Sequence, residues 1–420
     1  MKVLLVNKFL FPKGGDAICT LATGELLQSR GHRVAYWGMA HPENPTHDFA
    51  DLFVPHVDLN APQSLGEQIR IARNIVYSRV AREQFTTMID RFAPDIVHLH
   101  NFAHQISPSI VDVIKERGIP AVMTMHDYKL VCAAYTMISA DRPCERCRDG
   151  RFHQAFIRRC IKNSYLKSLV NTVEMICHHR IWHIYDPIRL FIAPSRFLMD
   201  KVKEMGFRGQ TVHLANFVDP AAFITPVAAP GEGFCYFGRL SREKGLETLL
   251  KAARGSRIPV KIIGDGPMRE TLEAEAAMEG MENVRFLGYM TGEALQREIA
   301  ASLAVVLPSE WYENNPLSIL EAFVLAKPVI GARIGGIPEL VREGEFGHTF
   351  TPGNAEELRA KMVQCVAHPR STRDMGIAAR AYVTRRHDPE TYLKGLLAIY
   401  ADAGIHDRAG NATAQPAETK

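Results

Sequence analysis

The chain has 420 residues, of which 46% are hydrophobic and 23% charged, with a formal net charge of +4. That length exceeds one ordinary core and points to two domains. The balance is far from the strongly basic one of a nucleic-acid binder, and no apolar run approaches the roughly eighteen residues of a membrane span.

The opening "MKVLLVNKFLFP" is apolar from Val3 to Val6 and is then broken by Asn7 and Lys8. It reads as a first strand and not as a secretory signal, so the chain is expected in the cytoplasm. "DAICTLATGELLQSRG" follows with apolar residues at helical spacing, then the strand "HRVAYWG". "DIVHLHN", "AVMTMHD" and "LFIAPS" are three more short strands. The alternation restarts with "GFCYFGR", "GLETLLKAAR", "PVKIIGDG", "MRETLEAEAAM" and "VRFLGY". It continues with "LAVVLPS", a helix around Glu321, "KPVIGAR" and "PELVREG", and "DPETYLKGLLAIY" is a last helix. Strands alternating with helices predict parallel sheets covered on both faces, here α/β with two doubly wound domains facing across a cleft. The expected division is 1–200, with a Cys-containing insertion at about 130–185, then 201–385. A C-terminal helix at 386–403 is expected to cross back to the first domain, and 404–420 reads as a disordered tail.

Positive charge gathers in the first half, where residues 1–194 hold 23 Lys+Arg against 18 Asp+Glu. Arg151 to Val170 interleaves Arg151, Arg158, Arg159, Lys162 and Lys167 with Phe152, Phe156, Ile157, Ile161, Tyr165 and Leu166, and has no acid. "QIRIARNIVYSRVAR" is a second basic stretch. Both fit solvated helices, and both fit a face that leans on anionic lipid.

Ligands of open α/β sheets lie at the carboxyl ends of the strands. Three clusters stand there. In "WYENNPLSILEAF", Glu313 and Glu321 flank the start of a helix. Pro316 suits the first turn and Asn314 or Asn315 is placed to cap it. The amides of Leu317 and Ser318 can then face an anion. In "GRLSREKG", Arg239 and Lys244 are two cations after a strand, able to neutralise a diphosphate. In "FPKGGDAICTL", Gly14 and Gly15 let the first loop approach a ligand closely. The spacing is not GxGxxG, which argues against a nicotinamide fold. Each cluster alone also fits a charged surface turn.

Together, in this order, they resemble the retaining GT-B glycosyltransferases of sequence family 4 over nearly the whole chain. The resemblance includes "VHLHN", "TMHD", "APS", "NFVDP", "GDGP" and "GGIPELV". It implies that Glu313 contacts the donor hexose, Glu321 the ribose, and Arg239 with Lys244 the diphosphate. His126 would touch sugar hydroxyls near the reacting carbon, and Gly14, Gly15, Asn315, Leu317 and Ser318 would complete the donor site. The implied donor is a nucleotide diphosphate sugar of UDP or GDP type, with base readout near Gly288 and Tyr289. The implied acceptor is a glycan or a lipid-linked glycan, and transfer would need no metal. A nucleotide-sugar epimerase and a non-catalytic nucleotide-sugar binder are the other classes considered.

Cys132, Cys144, Cys147 and Cys160 cluster in the sequence after "TMHDYKL". In a cytoplasmic protein that spacing suggests structural zinc, with His153 as a substitute ligand, or unmetallated thiols.

Overall fold

The computed structural model describes residues 1–58, 64–226 and 231–404. The proposed tail beyond 404 lies outside the described residues. The first half begins with β1 (Lys2–Val6), α1 (Gly15–Ser29), β2 (Arg33–Trp37), α2 (Leu65–Val76), α3 (Arg79–Phe92), β3 (Ile96–Leu99), α4 (Ser109–Arg117) and β4 (Ala121–Thr124). An antiparallel hairpin follows, β5 (Ile138–Ser139) with β6 (Arg142–Pro143), then α5 (His153–Ile157) and α6 (Tyr165–Ile176). The half closes with β7 (Leu190–Ala193), α7 (Arg196–Glu204) and β8 (Thr211–His213).

The second half runs β9 (Phe234–Phe237), α8 (Leu246–Ala253), β10 (Val260–Ile263), α9 (Arg269–Met278), β11 (Val284–Gly288), α10 (Gly292–Ala300) and β12 (Ala304–Leu307). It continues with α11 (Leu317–Val324), β13 (Val329–Ala332), α12 (Ile337–Leu340), β14 (Gly347–Phe350), α13 (Ala355–Ala367), α14 (Pro369–Arg386) and α15 (Pro389–Asp402).

Two six-stranded sheets result, ordered β2-β1-β3-β4-β7-β8 and β11-β10-β9-β12-β13-β14. Every pairing within them is parallel. Central strands such as β3, β4, β9 and β12 are buried at all positions, which is why β9 and β12 read as unbroken apolar runs and not as alternating ones. In each sheet the order reverses beside the first strand, so the loops after β1 and β9 open at a switch point where ligands bind. β8 lies past residue 200 and still pairs with β7, so the first sheet extends to His213. The last helix, α15, returns to that sheet: Leu393, Leu396, Ile399 and Tyr400 pack with Val3, Leu5, Ile96 and Val122.

Two stretches differ from the reading above. "QIRIARNIVYSRVAR" is not one helix. It breaks at Tyr77–Ser78, where Ser78 leaves the helical region and its hydroxyl caps α3 by accepting from Ala81 N–H. Arg151 to Val170 is likewise divided between α5 and α6, through a turn in which Arg159, Lys162 and Asn163 take positive φ. The Cys-containing insertion is not an appendage, since Cys132, Met137, Cys147, Phe152 and Ala155 belong to the main core of the first half.

Candidate functional site

The segment between β12 and α11 sits at the centre of the cleft. Glu313 is 5% exposed. Its carboxylate accepts from Lys244 Nζ at 2.7 Å and from Ser309 Oγ at 2.7 Å. Burial pushes this carboxyl up, but Lys244 and the Ser309 hydroxyl outweigh it and hold it below the ordinary range. Glu313 is therefore ionised at neutral pH and can accept hydrogen bonds from hydroxyls. Lys244 also lies over the Trp311 ring, at 5.1 Å from its centroid. Arg239, by contrast, is exposed at the end of β9, and among the described residues its guanidinium has no carboxylate partner.

Glycines close the back of this segment. Gly335 has φ +60, and a Cβ there would collide with Glu313 backbone. A Cβ on Gly336 would collide with the Asn314 carbonyl, while Gly336 N–H donates to the Glu313 carbonyl at 2.7 Å. The "GGIPELV" motif thus fixes the height at which Glu313 enters the cleft.

The asparagines do not cap α11. Pro316 occupies the N-cap position, one residue earlier than expected, and no side chain caps the helix. Asn314 instead crosses to the first domain. Its Nδ2 donates to Met125 O at 3.0 Å and its Oδ1 accepts from Ser195 Oγ at 2.8 Å. Asn315 holds the interdomain connection, accepting from Asn216 N–H on Oδ1 at 3.2 Å and from Asn216 Nδ2 on its carbonyl at 2.9 Å. The Asn315 side-chain oxygen and carbonyl thus serve to position the segment. Leu317 and Ser318 open α11, so their amides are among those that a helix leaves without internal acceptors.

The first loop meets that helix end. Gly14 is extended and precedes α1, and a Cβ on Gly15 would lie 3.9 Å from Leu317 Cδ1. The starts of α1 and α11 therefore face one another across the cleft, with Lys244 and Glu313 beside them. Glu321, on the next turn of α11, lies against α1, where Cys19 feels both Asp16 and Glu321. Burial alone pushes the Glu321 carboxyl up to about 7.

His126, just past β4, closes the site on the first domain's side. It shares a hydrogen bond with His100 at 2.9 Å, and the His100 ring stacks on His98 at 4.3 Å. His98 in turn is held by Thr124 Oγ1 at 2.8 Å and by the Tyr400 hydroxyl at 2.9 Å. Burial lowers all three imidazoles, His98 to about 3. His126 is thus a neutral hydrogen-bonding group whose ring is fixed through a buried stack that ends on α15. A cavity beside it is lined by His100, Asn101, Asp127, Lys129 and Tyr185.

The four clustered cysteines stay together in the fold, since the Cys132, Cys144 and Cys160 thiols all act on Cys147. Among the described residues no three His, Cys, Asp or Glu side chains are grouped to hold a metal ion, and all eight cysteines are free. Cys132 and Cys147 are buried, which pushes them up to about 11 and about 12, the neighbouring thiols adding to the rise at Cys147. The Met137 and Ala134 backbones pull Cys132 back down in part, and the Ser139 hydroxyl does the same for Cys160. Protonated core thiols are what this geometry favours.

Residues 13–222 match the family described as Glycosyltransferase Family 4, and residues 225–382 match Glycosyl transferases group 1. The chain belongs to glycosyltransferase family 4. Among the relatives of this family 4 chain is D-rhamnosyltransferase WbpZ of Pseudomonas aeruginosa, 35% identical over 35% of this chain and 39% of that protein. The chain thus spans about two fifths of that relative's length. N-acetyl-alpha-D-glucosaminyl L-malate synthase of Bacillus anthracis is 22% identical over 94% of this chain and 96% of its own. Anabaena Alr3699/HepE, solved in complex with UDP and glucose, superposes with a TM-score of 0.67 at 20% identity, covering 96% of this chain and all (100%) of that one. That likeness shows the fold, which is the GT-B arrangement.

Proposed function

We propose that this chain transfers a hexose, with retention and without a metal, from a nucleotide diphosphate sugar of UDP or GDP type to a lipid-linked glycan in surface polysaccharide or glycolipid synthesis. One observation carries the proposal: Lys244, Glu313, Glu321 and the start of α11 converge with the Gly15 loop in a single cleft. The outline matches the donor. Glu313 takes the hexose hydroxyls, Leu317 and Ser318 amides with Arg239 and Lys244 take the diphosphate, and Glu321 takes the ribose. Cleavage of the sugar–phosphate bond builds negative charge on the departing diphosphate, where fixed cations and a helix start stabilise it most. The acceptor hydroxyl attacks the anomeric carbon from the leaving-group face, and its proton passes to a phosphate oxygen. His126 holds a hydroxyl near that carbon. The cavity bounded by Asp127 and Lys129 receives the acceptor.

Because protein cations already face the diphosphate, nucleotide diphosphate release from the donor should continue unchanged in EDTA. A strict requirement for added Mg²⁺ or Mn²⁺ would contradict this assignment.

Glu321 makes donor binding pH-dependent. Its folded value of about 7 stands above the ordinary 4.5. Between those values the folded chain holds a proton that the unfolded chain gives up, so this group's contribution to stability falls as pH rises through the window. Ribose hydroxyls donate to the carboxylate and favour its ionised form. Nucleotide-sugar affinity should therefore rise from pH 5.5 to 7.5, with proton release visible by calorimetry in buffers of different ionisation enthalpy. Glu321→Gln should remove that dependence. An unchanged pH profile in the variant would assign the titration elsewhere.

A further inference from the structure

Helix α6 is inside out. Its buried residues are Ser168, Asn171, Thr172, Glu174 and Met175. Its exposed ones include Leu166 (60%), Leu169 (44%) and Val173 (41%). These three stand at i, i+3 and i+7, one stripe of the helix surface. Three of the inward polar side chains are bonded to the surrounding chain, while Asn171 Oδ1 and the second Glu174 oxygen are buried without a hydrogen-bond partner. Glu174 accepts from Lys129 Nζ at 2.7 Å, Ser168 Oγ accepts from Ile161 N–H at 3.0 Å, and Thr172 Oγ1 donates to Phe152 O at 3.3 Å. The orientation is therefore set by bonds to the core, and the apolar stripe is left outward. Its neighbours extend it: Tyr165 and Ile157 at one end, Ile181 and Trp182 at the other, and Ile69 on α2 are exposed as well, and α2, α5 and the turn Cys177–Ile181 all pack against α6. A patch of this size on a water-soluble surface marks an interaction site.

We infer that this face of α6, with α2 beside it, docks on an anionic lipid bilayer. The charges choose the occupant. Arg70, Arg73, Arg158, Arg159, Lys167 and Arg180 are all exposed on these elements and their turns. On α2, α5, α6 and the turn Cys177–Ile181 the acids are Glu67, which stands 3.8 Å from Arg70, and the buried Glu174. A second copy of the chain would set cations against cations. A bilayer with anionic headgroups meets both features, apolar residues entering the headgroup boundary while the surrounding cations face phosphates. Arg159 already lies over the Tyr165 ring at 5.3 Å, an arrangement suited to that boundary. The inner side of the same helix, through Glu174 and Lys129, backs the cavity next to His126. The docked face and the acceptor cavity are thus two sides of one helix. Only this last link rests on the glycosyl-transfer reading; vesicle binding does not.

The full chain is sedimented with phosphatidylcholine vesicles, with and without phosphatidylglycerol. Binding is expected on the anionic vesicles alone, falling several-fold as salt is raised, because screening shortens the reach of the charges. Leu166→Ser/Leu169→Ser/Val173→Ser and, separately, Arg158→Glu/Arg159→Glu/Lys167→Glu should each weaken binding at least tenfold. Both variants should keep wild-type melting temperature and wild-type donor cleavage in vesicle-free buffer, since the replaced side chains are exposed and far from the donor. Equal recovery with neutral and anionic vesicles, no binding at low salt, or full binding by the triple-serine variant would overturn the inference. So would a stable dimer in solution that the triple-serine variant dissociates, because a second copy would then cover the stripe. Loss of donor cleavage with vesicle binding intact would instead count against the proposed activity alone.

Discussion

Lys244→Ala and Arg239→Ala should each lower turnover by roughly a hundredfold or more, equivalent to about 2.7 kcal/mol of lost transition-state stabilisation. On the proposed mechanism both cations act on charge that develops only as the diphosphate departs, so the loss should appear in kcat more than in donor affinity. The two variants differ in stability for a structural reason. Arg239 is exposed, so removing it leaves the melting temperature unchanged. Lys244 is the cation that compensates the buried Glu313 carboxylate. Its removal leaves the buried carboxylate without a countercharge, so Lys244→Ala should also melt several degrees lower. Donor-cleavage kinetics and a thermal melt of each variant check the pair. Wild-type turnover in either one would remove the diphosphate assignment, and equal melting losses would contradict the exposure difference between the two cations.

Glu313→Gln lowers turnover by roughly a hundredfold while nucleotide affinity changes little, whereas Glu321→Gln weakens nucleotide binding about tenfold, or about 1.4 kcal/mol. The difference follows from where the two carboxyls stand. In the proposed donor pose Glu313 faces the hexose end, beside Lys244, and its ionised form would be the better acceptor for sugar hydroxyls as positive charge grows on the ring. Glu321 lies one turn into α11 against α1, which the proposed pose makes the ribose end, remote from the bond that breaks. Titration calorimetry with the nucleotide diphosphate, set beside kcat for the same variants, separates the effects. Reversed phenotypes would mean that the donor lies the other way round in the cleft.

Much of this site was legible because each part carries a local signature. Glu313 and Glu321 flank a strand-to-helix junction, Arg239 ends a strand, and two glycines follow the first strand, so the strand-end rule alone collected them. What was not legible depends on partners distant in sequence. Asn314 and Asn315 have the residue type of helix caps, yet Met125, Ser195 and Asn216, from 99 to 189 residues away, claim their side chains. Tyr400 reaches His98 across 302 positions, and nothing around "LAIY" announces that. The cysteine spacing suggests a metal, but spacing alone does not show that Cys132 and Cys147 also belong to the apolar core of the first half. For α6, periodicity shows an apolar stripe but not which way it points. The Lys129–Glu174 pair decides that, 45 residues apart. The edge strands β8 and β14, "TVH" and "GHTF", carry too few apolar residues to show a pattern. The helices that cover the sheets were read where a face is apolar throughout, as in "GLETLLKAAR", and missed in α14, which is dense in arginine.

The central claim is sugar transfer with a diphosphate leaving group, and the most direct measurement follows both halves of the donor at once. The protein is incubated in EDTA with a panel of UDP- and GDP-hexoses labelled at the anomeric carbon, together with extracted lipid-linked glycans, and the products are resolved by NMR. One donor should yield free nucleotide diphosphate and an equal amount of label in the lipid fraction, with the anomeric configuration of the donor preserved, and Arg239→Ala should suppress both. Label that stays in the nucleotide pool as an epimerised sugar, or donors that bind and are never cleaved, would contradict the account.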